Sequence, residues 1–168
     1  MKKVTILMSA LTMVLGGCAQ TDSLENNPLL QEWNTPYQTP PFSQIETKHY
    51  EPAIDYAIEQ QRAEIDAIIN NPEEPTFENT IEAMEYAGET LDRVAGIFYN
   101  LMEANTNDAM QETAEQISPM LTEYSMYVSL NNDLFQRVKA VYEKKDELGL
   151  AQDQMKILEE NYKGFVRG

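Results

Sequence analysis

The stretch PTFENTIEAMEYAGETLDRVAGIFYNLMEA, residues 75–104, decides the fold. Ile81, Met84, Leu91, Val94, Phe98 and Leu101 recur in it at spacings of three, four and seven, the period of one helix face. Thr76 stands where an N-cap belongs, and Glu78 lies near the positive end of the helix that follows. The pattern predicts one helix from Thr76 to about Ala104. Gly88 and Gly96 weaken it slightly and mark places where a neighbouring helix can approach closely.

The same period extends in both directions. Upstream, Ile54, Ala57, Ile58, Ile65, Ile68 and Ile69 share a face of a helix that starts after Thr47 and ends at Asn70-Asn71-Pro72. Pro52 is tolerated in its first turn. Downstream, Met110, Ala114, Ile117, Leu121, Tyr124 and Val128 form a stripe that Pro119 interrupts, which predicts two helices or one bent one. Asn131, Asn132 and Asp133 cap a further helix that ends near Gly149, with Leu134, Phe135, Val138, Val141 and Tyr142 on its apolar side. Ala151, Met155, Leu158, Tyr162 and Phe165 mark a last one. No alternating run of β-branched residues is bounded by turn signals, so no sheet is expected. Short connections make neighbours antiparallel. The fold class is all-α, with four to six mostly antiparallel helices.

The N-terminal part reads differently. Lys2 and Lys3 precede a mostly apolar run from Val4 to Leu15, followed by Gly16, Gly17 and Cys18. This is a secretory signal, too short to span a bilayer as a stable anchor. Leu15-Gly16-Gly17-Cys18 also resembles a bacterial lipobox, in which the Cys is lipidated and becomes the new N-terminus. The alternative is an ordinary signal peptide with an incidental Cys. Ala19 after the Cys, rather than Asp, resembles lipoproteins sorted to an outer membrane. The expected division is a signal peptide at 1–17, a tether at 18–26 and a helical region at 27–168. Pro28, Pro36, Pro40 and Pro41 prevent a continuous helix before Phe42. Leu29, Leu30, Trp33, Tyr37 and Phe42 make this an extended, Pro-rich strip expected to lie along a folded body.

Composition bounds the function. The 168 residues carry 28 acidic and 12 basic side chains, a formal charge of −16. Removing residues 1–17 takes away Lys2 and Lys3 and no acid, which deepens the charge to −18. Such acidity argues against nucleic acid as a partner. One Cys excludes an intramolecular disulfide, and one His excludes any site built on two imidazoles. The chain has no Gly-rich phosphate loop, nucleophile elbow, EF-hand spacing or H-E-x-x-H. No residue of it is therefore assigned a catalytic or metal-binding role.

Acidic pairs such as Glu73-Glu74 and Glu159-Glu160 are expected by chance in so acidic a chain and read as solvated surface. His49, just before a helix, reads as a capping, packing or exposed residue rather than a base. The aromatics Tyr86, Phe98, Tyr99, Tyr124, Tyr127, Phe135 and Tyr142 recur at helical spacing and read as packing rather than a ligand box. The nine methionines read likewise as packing material.

Several stretches carry a resemblance. They are NPLLQEWNTPYQTPPFSQI at 27–45, HYEPAI at 49–54, AEIDAIINNPEEPTFENTIEAME at 63–85, VAGIFYNLMEANT at 94–106, LNNDLFQRVKAVYE at 130–143 and FVRG at 165–168. In this order they resemble the N-terminal region of the thimet oligopeptidase, neurolysin and peptidyl-dipeptidase family of zinc metallopeptidases, most of all its bacterial peptidyl-dipeptidase (dipeptidyl carboxypeptidase) branch. PTFENTI is the most specific of them.

The resemblance implies a much longer helical parent whose two halves enclose a channel with zinc at its base. It implies that short peptides enter, that folded proteins are excluded, and that dipeptides leave from the C-terminal end. The zinc-binding H-E-x-x-H of the family has no counterpart here, and His49 matches an HY-x-P element instead. On this reading the chain is a piece of an exported, lipid-anchored peptidase, inactive alone, that walls the channel and packs on a missing C-terminal catalytic region. The abrupt end at 165–168 reads as a cut. The alternative is a non-enzymatic helical lipoprotein for binding or scaffolding.

Overall fold

The computed structural model describes residues 24–167. The signal peptide, Cys18 and most of the tether lie outside them. Helix α1, Tyr50–Ile69, carries the rest of the fold. A 3-10 turn, Thr47–His49, leads into it. The Glu46 N–H donates to His49 Nδ1 at 3.0 Å, so His49 caps the turn. Pro52 falls in the first helical turn, where a missing N–H costs no ladder bond. One side of α1 is buried through Tyr50, Ile54, Ile58, Ile65 and Ile68. At its end the Asn70 N–H and Nδ2 both donate to the Asp66 carbonyl.

The N-terminal strip is fastened to the start of α1. Buried Asn27 donates from Nδ2 to the His49 carbonyl at 2.8 Å, and its Oδ1 accepts the Leu29 N–H at 3.0 Å. Leu29 is thereby placed in the core beside α1. Trp33 Nε1 donates to the Pro28 carbonyl, and the Arg93 guanidinium lies 4.9 Å from the Trp33 ring centre. Beyond Trp33 the expected packing stops. Tyr37 is 99% exposed with a positive φ of 59°, and Phe42 is exposed too. These two rings do not join the core among the described residues.

The predicted helix over 76–104 is broken in two. A π-helical turn, Phe77–Glu82, runs into α2, Ala83–Tyr86, and α3 is Glu89–Asn105. The predicted cap is present: Thr76 Oγ1 accepts the Asn79 N–H at 3.1 Å, and Asn79 Oδ1 accepts the Thr76 N–H at 2.8 Å. The break falls at Ala87-Gly88, where Gly88 adopts φ 86°. Two α1 side chains hold it there. Gln61 Nε2 donates to the Ala87 carbonyl, and Glu64 Oε2 accepts the Gly88 N–H at 2.8 Å. A Cβ on Gly88 would lie 2.0 Å from Gln61 Nε2, so the expected close approach is real here. It is absent at Gly96, whose Cβ position meets nothing within 4 Å. Tyr86, expected to pack, is 77% exposed at the end of α2.

Helix α4, Asp108–Ser129, is a single helix that passes through Pro119. Pro119 and Glu115, whose carbonyl loses its N–H partner, are on the exposed side, so water can satisfy that carbonyl. Asn107 and Asn131 cap α4 and α5, Asn132–Glu143, by accepting the N–H groups of Met110 and Leu134. α5 ends at Glu143, earlier than the expected Gly149, and turns lead to α6, Gln152–Arg167.

The described residues contain no strand, and the all-α class holds. α3 and α4 each pack on α1 rather than chiefly on one another. Phe98, fully buried, meets Tyr50 edge-on at 5.0 Å in the centre of this core. Each such side chain contributes about 1.5–3 kcal/mol by leaving water. α5 and α6 enclose a second core with the π-helical turn, around Phe77, Ile81, Val138, Val141 and Leu158. A small cluster of Ile65, Ile68, Ala87 and Leu134 joins the two.

Candidate interaction surface

Cys18, the one residue assigned a role from the sequence, lies outside the described residues. Among the described residues no helix is long and apolar enough to cross a membrane. Among the described residues, the side chains present do not fit a zinc centre. The chain has one His, and the described residues place no three His, Cys, Asp or Glu side chains to hold a metal ion. Glu73, Glu74 and Glu160 are exposed. Glu159 is bound on two sides, by Lys145 at 2.9 Å and Lys163 at 3.1 Å, and these two ammonium groups hold its carboxyl below the usual range. Lys145 also lies 4.5 Å from the Tyr142 ring centre, and Tyr142 stacks on Tyr162 at 3.9 Å.

The surface with the most unusual chemistry follows from the helix arrangement. Because α3 and α4 lean on α1 more than on each other, a groove remains between them, floored by Gln61 and Ile65. Leu91 and Ala95 of α3 face Leu121, Tyr124 and Val128 of α4 across it. The groove continues past Met84 and Val128 to the last turn of α6 at Gly164 and Phe165. Asp92, Glu85 and Glu160 stand along it, and no Lys or Arg lines either part. Tyr124 is buried, and burial is the main cause of its raised pKa. Its hydroxyl has no hydrogen-bond partner among the described residues, and neither has Gln61 Oε1. Next to it, the Arg62 guanidinium lies 4.2 Å from the Tyr127 ring centre, and the Tyr127 hydroxyl donates to Asp66 Oδ1. The apolar periodicity marks Leu91, Leu121 and Val128 as stripe residues. It carries no signal that they border a groove rather than fill a core.

No protein-family model matches the chain. Comparison with curated proteins finds dipeptidyl carboxypeptidase of Escherichia coli strain K12, 43% identical over 140 residues. These residues make up 83% of this chain and 21% of that protein. The dipeptidyl carboxypeptidase of Salmonella typhimurium is 39% identical over 143 residues, 85% of this chain and 21% of the relative. Oligopeptidase A of Escherichia coli is 29% identical over 109 residues, 65% of this chain and 15% of the relative. The chain thus spans about a fifth of the length of these two dipeptidyl carboxypeptidases.

Proposed function

The chain belongs to the peptidase family of dipeptidyl carboxypeptidase and oligopeptidase A, of which it spans about a fifth, and on that premise we propose that it is part of a longer exported zinc peptidase. The parent cleaves short peptides and releases dipeptides from their C-terminal ends. The observation that carries this is the 43% identity to a dipeptidyl carboxypeptidase over 83% of the chain. The zinc implied by the resemblance is held by residues outside these 168, where it would activate water for attack on the peptide carbonyl. The helices present form one wall of the substrate channel and support the catalytic part. Cys18 carries the lipid that anchors the protein to an outer membrane. One thioether-linked lipid group with several acyl chains supplies enough buried methylenes for a stable tether.

The test is dipeptide release from N-blocked tetrapeptides by the protein encoded by the whole reading frame. Activity should appear there, vanish with a zinc chelator and be absent from the 168-residue chain. Loss of labelled lipid on Cys18→Ser tests the anchor separately. A reading frame that stops after Gly168, or a whole protein that binds but never cleaves peptides, would favour the non-enzymatic lipoprotein instead.

A further inference from the structure

We propose that the groove between α3 and α4 is the docking site of an apolar, basic-flanked segment of the same polypeptide that follows residue 168. This rests on the proposed reading of the chain as part of a longer peptidase. Three observations lead to it. First, Met84, Ala95, Leu121 and Val128 line the groove half-buried, above buried Ile65 and Leu91, and it stays open to solvent between two long helices. Apolar side chains arranged in this way lose free energy when a complementary surface covers them.

Second, the charged side chains that line the groove are all acidic, and the nearest cation, Arg62, is turned onto the Tyr124 and Tyr127 rings. Glu85, Asp92 and Glu160 stand on it, with no Lys or Arg. The occupant should therefore carry Lys or Arg at the edges of its apolar stripe. A second copy of this chain, with the same charge of −16, would bring acid against acid. An anionic lipid surface would be repelled likewise.

Third, the chain leads there. Gly164 and Phe165, in the last turn of α6, form one end of the groove. Phe165 is held in place by Phe135, with ring centres 5.8 Å apart. A polypeptide that continued from α6 would therefore leave beside the groove, and a segment of it would need only a short connection to turn back. The relatives are about five times longer than the matched part, so there is chain enough to supply it.

The experiment measures how fast one thiol in the groove reacts with a bulky maleimide. Cys18→Ser removes the native thiol, and Ser129→Cys places one on an exposed groove residue. In the native whole protein this thiol should react at least about tenfold more slowly than in the same protein unfolded in denaturant. In the 168-residue chain it should react at close to the unfolded rate. Ser125→Cys, also exposed and in the groove, repeats the measurement if the first variant folds poorly. Reversing the charges with Glu85→Lys and Asp92→Lys should raise the thiol's rate in the whole protein by at least about threefold.

Equal rates in the native whole protein and the unfolded one would overturn the proposal. So would slowing in the 168-residue chain that grows with its concentration, because a second copy is then the occupant. These outcomes are separable from the peptidase reading. A whole protein that releases dipeptides but leaves the thiol open loses only the docking proposal. One that shields the thiol but cleaves nothing loses only the peptidase. A reading frame ending at Gly168 overturns both.

Discussion

Arg137 is a buried cation that binds backbone rather than a carboxylate. From α5 its Nη1 donates to the carbonyls of Asn71, at 2.9 Å, and Glu73, and its Nη2 donates to Asn79 Oδ1 at 3.2 Å. It thus ties the connection after α1, and the cap of the π-helical turn, to the second core. Arg137→Ala should cost about 2 kcal/mol, because part-buried acceptors lose a buried donor, and Arg137→Lys should recover only part of it, lacking the planar fork. Urea denaturation of the chain measures both. A cost for Arg137→Ala under about 1 kcal/mol would show that the connection is held by other contacts.

The tyrosines give a pH prediction at the same scale. Tyr50 and Tyr124 are raised above 10 chiefly by burial, and Tyr127 chiefly by its hydrogen bond to Asp66. A folded pKa above the unfolded one means that the fold prefers the protonated hydroxyl. The stability that these groups contribute is present in full below pH 10 and is lost as pH rises through the raised values. Tyr124→Phe should leave stability at pH 7 unchanged or raise it by up to about 1 kcal/mol, since it removes an unpaired hydroxyl. It should also make the alkaline loss shallower. Unfolding curves taken from neutral to strongly alkaline pH decide it.

At the scale of elements, Gly88 and Gly96 make a matched pair. In Gly88→Ala a left-handed φ of 86° would have to carry a Cβ that displaces Gln61 from the Ala87 carbonyl. The expected cost is about 2–3 kcal/mol. In Gly96→Ala the new methyl meets open space within a helix, and a gain of about 0.5–1 kcal/mol is expected. Thermal melts of the two variants should move in opposite directions. A similar fall in both would mean that the break between α2 and α3 does not depend on Gly88.

The whole molecule is dominated by its charge. Its ion pairs, such as Lys48–Glu46 and Lys156–Glu160, are mostly exposed and contribute little each. The acidic excess of 16 repels itself across the surface. Raising salt from low concentration to about 0.5 M should screen that repulsion more than it weakens the pairs, and so raise the melting temperature. A fall would show that the pairs around Glu159 count for more than the net charge.

The sequence by itself determined most of the helices, the caps at Thr76 and Asn131, and the buried sides of the stripes. Thr76, Asn131 and the stripe through Ile54, Ile58, Ile65 and Ile68 are local features, readable because a cap acts over three residues and a helix face repeats every three or four. It also revealed the kinship to peptidases, because matches in order along the chain need no coordinates. What only the tertiary structure decided lies where distant residues meet. Gln61 and Glu64 break the predicted helix at Gly88 from 24 to 27 positions away. α1 keeps α3 and α4 apart, and so an apolar stripe becomes an open groove beside the end of α6. Periodicity records which side of a helix avoids water, but it holds no information on how far apart two neighbours lie. That separation depends on the third helix, on which both rest.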